Sequence, residues 1–170
     1  DGTLLNRLVE MRRRFARELG IIVPSIHIRD NLNLEAGEYR LLLKGVPIGS
    51  GEIKQGSLLA IDPGGATGDV DGVETTDPTF GLDALWIDPS DRHKAEAAGY
   101  TVVEQDAVIT THVSELVEEH ASELLGWQEL EQRLEDLKEE APKLIEELIP
   151  ERMSFGNVLS VLRRLLDEGV

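Results

Sequence analysis

The chain has 170 residues, and 17 basic against 33 acidic side chains give it a formal charge of −16. That balance argues against a nucleic-acid binder, which needs a basic face against phosphate, and disfavours docking on anionic lipid. There is no cysteine, which excludes thiolate catalysis, disulfides and cysteine-based zinc sites, while a hydrophobic fraction of 41% is enough for a core.

No apolar run approaches the roughly 20 residues of a membrane span. Asp1-Gly2-Thr3 is neither a signal peptide nor a natural start, so the chain reads as a cut-out of something longer. Leu4 to Leu19 reads as an amphipathic helix, with Leu4, Leu8, Met11, Phe15 and Leu19 recurring every three or four residues. Arg12, Arg13, Arg14 and Arg17 lie mostly off that stripe and read as a solvated face, and Gly20 is a C′ stop. Pro24 to Arg29 alternates as a half-buried strand, with Ile26 and Ile28 on one face. Glu38 to Val46 is a second strand, and Gly45 to Gly51 then breaks the pattern as a bulge or loop. Leu58 to Ile61 is a short apolar run, followed by a turn-rich stretch to Phe80. Leu85-Trp86-Ile87 is the next strand. Asp88-Pro89 then starts a helix, as N-cap and N1, which ends at Gly99 before a strand from Tyr100 to Val103. Asp106 caps a long helix with Val108, His112, Val113, Leu116, Val117, His120 and Leu124 on one face, interrupted at Gly126. Further helical stripes follow, broken at Pro142 and Pro150, and the last begins at Ser154. The expected class is α+β: a small mixed α/β subdomain carrying an inserted second α+β subdomain, followed by a helical subdomain. From His112 to Glu151 there are 13 acidic and 3 basic residues, a run that reads first as a solvated helical face.

Catalytic signatures are weak. His112 and His120 lie two turns apart, about 12 Å, too far for one metal. The Gly64-Gly65-Ala66-Thr67-Gly68 loop is followed by Asp69 and Asp71, which would repel phosphate, and no Gly-Lys-Ser/Thr follows. Asp69-Val70-Asp71-Gly72 lacks the spaced ligands of a calcium loop and reads as a turn. A metal-assisted hydrolase using Asp69 and Asp71 stays as the rival from another class. What stands out is Asp77-Pro78-Thr79-Phe80-Gly81-Leu82, a turn that presents one of only three phenylalanines, running into Asp83-Ala84-Leu85-Trp86-Ile87. A Phe on such a turn is as readily a core plug as a recognition handle.

The succession of segments carries a resemblance. Ile28-Arg29-Asp30-Asn31, Glu38-Tyr39-Arg40 with Lys44-Gly45, Leu59-Ala60-Ile61-Asp62-Pro63-Gly64, the Asp77-to-Ile87 stretch, Gly99 to Val103, Thr111-His112-Val113, Glu123 to Gly126 and Leu137 to Leu144 follow in that order. Together they resemble the cytoplasmic domain of the flagellar type III export-gate (FHIPEP) family, whose cousins serve injectisomes, over nearly the whole chain. The resemblance implies four subdomains below a multi-span membrane region, on the cytoplasmic side of the bacterial inner membrane, and a ring typically of nine subunits. By it, residues 1–55 plus about 105–124 form the first subdomain and 56–104 the inserted second. Residues 125–170 form the front of a helical third, and the fourth is absent.

The resemblance also implies a non-enzymatic docking platform that takes export chaperone–substrate complexes in a hydrophobic dimple. Other export-apparatus proteins are further partners; no cofactor, metal or nucleic acid is implied. The family's key Asp, Phe and Thr fall on Asp77, Phe80 and Thr111. Apolar neighbours expected to line the dimple are Leu59, Ile61, Pro63, Leu82, Val103 and Val108. The injectisome branch is the alternative within the family, and a fragment that serves chiefly to build the ring is another.

Overall fold

The computed structural model describes residues 2–18 and 20–169. Chain contacts divide it into two compact units, one joining the chain up to Met11 with Ile26–Leu116, the other joining Arg12–Ser25 with the chain from Val117 onward. The architecture of the described residues is α+β, with two small antiparallel sheets, a helix before the first, a short helix between two strands of the second and further helices after it.

Helix α1 spans Gly2–Glu18 and buries Leu8, Met11 and Phe15, the stripe that the spacing announces. Arg13, Arg14 and Arg17 are exposed, and Leu19 lies outside the described residues. Residues 24–29 join no ladder among the described residues, which corrects the strand expected there. Ile28 is 57% exposed, so the alternation has no buried face behind it. Without a partner strand an extended link shows the same period of two.

In the first unit, β1 (Glu38–Leu43) and β2 (Val46–Glu52) form a hairpin. Its two turn residues, Lys44 and Gly45, both have positive φ, 51° and 87°, which matches the twist of a two-residue hairpin. The expected strand end at Val46 therefore falls beyond the turn. The irregularity expected after Gly45 is a strand whose register shifts opposite Leu41 and Leu42.

The second sheet has the order β4-β5-β3-β6, from Val73–Thr76, Asp83–Ile87, Leu58–Ile61 and Thr101–Val103, all antiparallel. Strand β4 was hidden in the turn-rich stretch because Val73-Glu74-Thr75-Thr76 is a polar edge strand with one partner. One face of the sheet buries Leu58, Ala60 and Ile87 against Ala95 of helix α2 (Arg92–Ala97). The other buries Leu59, Ala84 and Trp86 together with Val108 of helix α3 (Gln105–Glu119), with Ile53, Ile61 and Val103 packed around them. A single 3-10 turn, Pro89–Asp91, precedes α2, and Asp88 caps it by accepting the Ser90 N–H at 2.9 Å, as its position before Pro89 implies. Gln105 at the head of α3 donates to the carbonyls of Lys54 and Ser57 at 2.8 and 3.0 Å, tying the helix start to the turn before β3. Arg7 on α1 donates to Asp106 at 2.8 Å.

In the second unit the long helix expected to reach Leu124 stops at Glu119, and a short α4 (Ala121–Leu124) follows. Helices α5 (Trp127–Glu140), α6 (Pro142–Leu148) and α7 (Phe155–Asp167) bury Leu130, Val158 and Leu159. Ser154 caps α7 by accepting the Asn157 N–H, and Arg163 donates to the Leu125 carbonyl at 2.8 Å. Trp127 tilts over Phe155 with ring centroids 4.2 Å apart. Among the described residues no helix is long and apolar enough to cross a membrane.

Candidate functional site

The site forms at one end of the four-stranded sheet, and the ladder explains how. Ile61 stands opposite Ala84 and Thr101, and Leu59 opposite Trp86 and Val103. Partners in an antiparallel pair point to the same face, so Leu59, Ile61 and Val103 share the face that receives Val108. The ladder runs one step past β3, where the Asp62 N–H donates to the Asp83 carbonyl at 2.8 Å. On the other side of β5 the Asp77 N–H donates to the Leu82 carbonyl at 2.8 Å. Continued alternation sets Pro63, Leu82 and Asp77 in the row beyond Ile61, Ala84 and Thr75.

Along this face burial falls off from one end to the other. Leu59 is 0% and Val108 3% exposed, so they are core beneath the site rather than contact surface. Ile61 and Val103 are half-buried, Pro63 is exposed, and Leu82 is 40% exposed. Phe80, at the tip of the turn, is 61% exposed, so this Phe is not a core plug. Thr111 is exposed on α3, one residue from the buried His112.

The turn is held from inside by Asp77, itself only 4% exposed. Its carboxylate accepts the Phe80 N–H at 2.6 Å, its carbonyl accepts the Gly81 N–H at 3.0 Å, and its own N–H completes the closure to Leu82. This is the local turn chemistry of an Asp side chain bonding the backbone a few residues on. Gly81 takes a positive φ of 67°, which turns the chain from Phe80 into β5. The Thr79 hydroxyl is buried in the same turn with no hydrogen-bond partner among the described residues.

Two neighbours of the site escaped the sequence reading. Tyr39 on β1 shares a hydrogen bond of 2.8 Å between its hydroxyl and Nδ1 of His112, the two rings edge to face. Burial, and then the negative charge of Asp77, push the Tyr39 phenol well above its ordinary range. No local pattern links residues 39 and 112, and the helical spacing of His112 shows only that it faces inward. Asp62 is the second: its carboxylate accepts the N–H groups of Gly64, Gly65 and Ala66 at 2.8, 2.9 and 2.9 Å. Those bonds, Ala66 first, hold it below the usual carboxylate range and fix the loop that follows β3.

Asp69 and Asp71 are both exposed, and Asp71 lies 3.5 Å from the Lys94 ammonium. Among the described residues no three His, Cys, Asp or Glu side chains gather as metal ligands would.

The fold is shared with the CdsV and SctV-C proteins. It matches the Chlamydia pneumoniae CdsV protein with a TM-score of 0.79 and 25% identity, over 99% of this chain and 53% of that one. It also matches nonameric SctV-C from EPEC, with a TM-score of 0.71 and 21% identity, over 100% of this chain and 51% of that one. Residues 1–170 match the FHIPEP family, and the chain belongs to it. It is 46% identical over 170 residues to the flagellar biosynthesis protein FlhA of Escherichia coli K12, covering 100% of this chain and 25% of that protein. To FlhA of Bacillus subtilis it is 43% identical over 169 residues, 99% of this chain and 25% of that protein. The chain thus spans about a quarter of the length of these relatives.

Proposed function

We propose that this chain is part of the cytoplasmic docking platform of a flagellar type III protein export gate, and that export chaperone–substrate complexes bind at the Phe80 end of the sheet. Residues 1–55 with 105–124, 56–104 and 125–170 would be its first, second and partial third subdomains. The full protein would sit at the bacterial inner membrane and assemble as a ring. The relatives of 43–46% identity are flagellar, whereas the injectisome CdsV stands at 25%, which favours the flagellar branch. The ring reading draws on the nonameric state of SctV-C and the contact with other export-apparatus proteins on the complex of CdsV with CdsO.

The observation that carries the docking reading is the 61% exposure of Phe80 on a turn closed by three hydrogen bonds to Asp77. A large apolar group held in water by a rigid turn is ready to be buried by a partner without first paying for ordering. Leu82, Pro63, Ile61 and Val103 supply an apolar floor, Leu59 and Val108 its backing, and Thr111 a polar rim. This suits an apolar anchor on a partner helix. Burying the Phe80 ring is worth about 1.5–3 kcal/mol. Phe80→Ala is therefore expected to weaken binding of a chaperone–substrate complex roughly 10- to 100-fold in calorimetry, with the fold retained. Unchanged affinity in a folded variant would sink the docking assignment.

A further inference from the structure

Strand β4 is one edge of the four-stranded sheet and pairs with β5 alone. In an antiparallel ladder alternate residues bond the neighbouring strand, and the Asp77 N–H on the Leu82 carbonyl sets the phase here. Val73 and Thr75 therefore bond β5 as Asp77 does, while the N–H and C=O groups of Glu74 and Thr76 point off the edge. No hydrogen bond among the described residues takes up those outward groups. The side chains of Glu74 and Thr76 stand opposite Leu85 and Asp83 and border, with them, a groove of about 550 Å³ that Asp62 and Tyr100 complete. This is the face of the sheet that carries α2, not the face of Leu59 and Val108 beneath the Phe80 site. Leu85 and Tyr100 are half-buried and floor the groove, whereas Glu74 and Asp83 are exposed. Among the described residues none of the three carboxylates forms an ion pair. On the opposite face, beside the same edge, Val73 is 51% exposed.

An unpaired sheet edge is a template for another strand, and the charges around it select which. A second copy of this chain fits poorly. Pairing β4 with itself would bring two Glu74 side chains together between chains that each carry a charge of −16. We propose that the β4 edge takes an extended basic segment of a partner protein as a fifth strand. The main chain of that segment bonds the outward groups of Glu74 and Thr76. On the groove side its lysine or arginine heads meet Glu74, Asp83 and Asp62, and their stems lie over Leu85 and Tyr100. Its alternate residues, apolar ones, cover Val73 on the other face. The site is separate from Phe80 and does not rest on the docking reading.

The test uses the 170-residue chain and a synthetic peptide of about ten residues that alternates lysine with valine. At saturating peptide the amides of Glu74 and Thr76 are expected to exchange at least about 10-fold more slowly, while those of Val73 and Thr75, already bonded to β5, change little. Affinity is expected to fall about 10-fold or more in Thr76→Pro, which removes an outward donor and no ladder bond. The same loss is expected in the charge reversal that combines Glu74→Lys with Asp83→Lys. Protection of the Thr75 and Asp77 amides checks that each variant keeps its sheet; if Thr76→Pro loses it, the charge reversal at two exposed positions decides. A peptide alternating glutamate with valine is expected not to bind, and Phe80→Ala to bind the lysine peptide as wild type does. Unchanged exchange at Glu74 and Thr76 under saturating peptide overturns the proposal. So does wild-type affinity in the folded variants, which would mean diffuse attraction to an acidic surface. Protection of the same two amides that grows with protein concentration, without peptide, gives the edge to a second copy and overturns the basic partner. Loss of peptide binding in Phe80→Ala overturns the separation of this site from the turn.

Discussion

Asp77 is a charged residue only 4% exposed, and its carboxylate is met by the Phe80 amide at 2.6 Å. A hydrogen bond to an ionised acceptor is among the stronger kinds, and it is what justifies a buried carboxylate in a turn. Tyr39 is the residue that feels that charge. Its phenol is raised above its ordinary value by burial and by Asp77, so the folded state favours the neutral form more than the unfolded chain does. The sign follows from linkage. Below a pH of about 10 the phenol is protonated in both states and its contribution is fully present. Above it the unfolded phenol ionises first, and stability declines until the folded value is reached. Chemical denaturation at successive pH values from about 8 to 11 should show a steeper alkaline loss in the wild type than in Tyr39→Phe. Parallel curves would mean that the phenol is not held neutral in the fold.

At the scale of elements, β2 shows how the absence of side chains shapes a site. Gly51→Ala would bring a methyl group against the Tyr39 phenol, within 2.9 Å or less of two ring carbons and the hydroxyl oxygen. The ring is pinned by its bond to His112, so overpacking should cost about 1–3 kcal/mol. The denaturant midpoint should drop. A fully stable Gly51→Ala would show that the ring has room to move. The elements differ in how far the sequence announces them. Helix α1 was legible because Leu8, Met11 and Phe15 recur at helical spacing and all three are buried. The caps at Asp88 and Ser154 were legible because capping is local chemistry. Strand β4 was not, since a polar edge strand owes its state to β5 rather than to its own residues. The false strand at residues 24–29 is the converse, an alternating pattern with no partner. The candidate site divides the same way. The Asp77–Leu82 turn is written in consecutive residues. The bond between Tyr39 and His112 spans 73 positions and exists only once the hairpin lies on α3.

Over the whole molecule, all nine candidate docking residues, and Tyr39 and His112 with them, belong to the unit built from the chain up to Met11 and Ile26–Leu116. The other unit has its own core, centred on Leu130 at 1% exposure with Val158 and Leu159. Two cores allow two separate perturbations. Leu130→Ala removes a fully buried side chain and should destabilise the helical unit by about 2–5 kcal/mol. Amides of α5 and α7 should then exchange faster, while those of β3, β5 and the Phe80 turn keep their protection. Below the temperature at which the helical unit opens, affinity for the chaperone–substrate complex should stay within about twofold of wild type, because no docking contact has been removed. Leu59→Ala is the mirror image. It opens a cavity directly beneath Ile61 and Val103, so stability and docking should fall together. If Leu130→Ala weakened docking as much as Leu59→Ala while β3 and β5 stayed protected, the helical unit would carry part of the binding surface. Equal loss of protection in both units would instead make the two cores one cooperative structure.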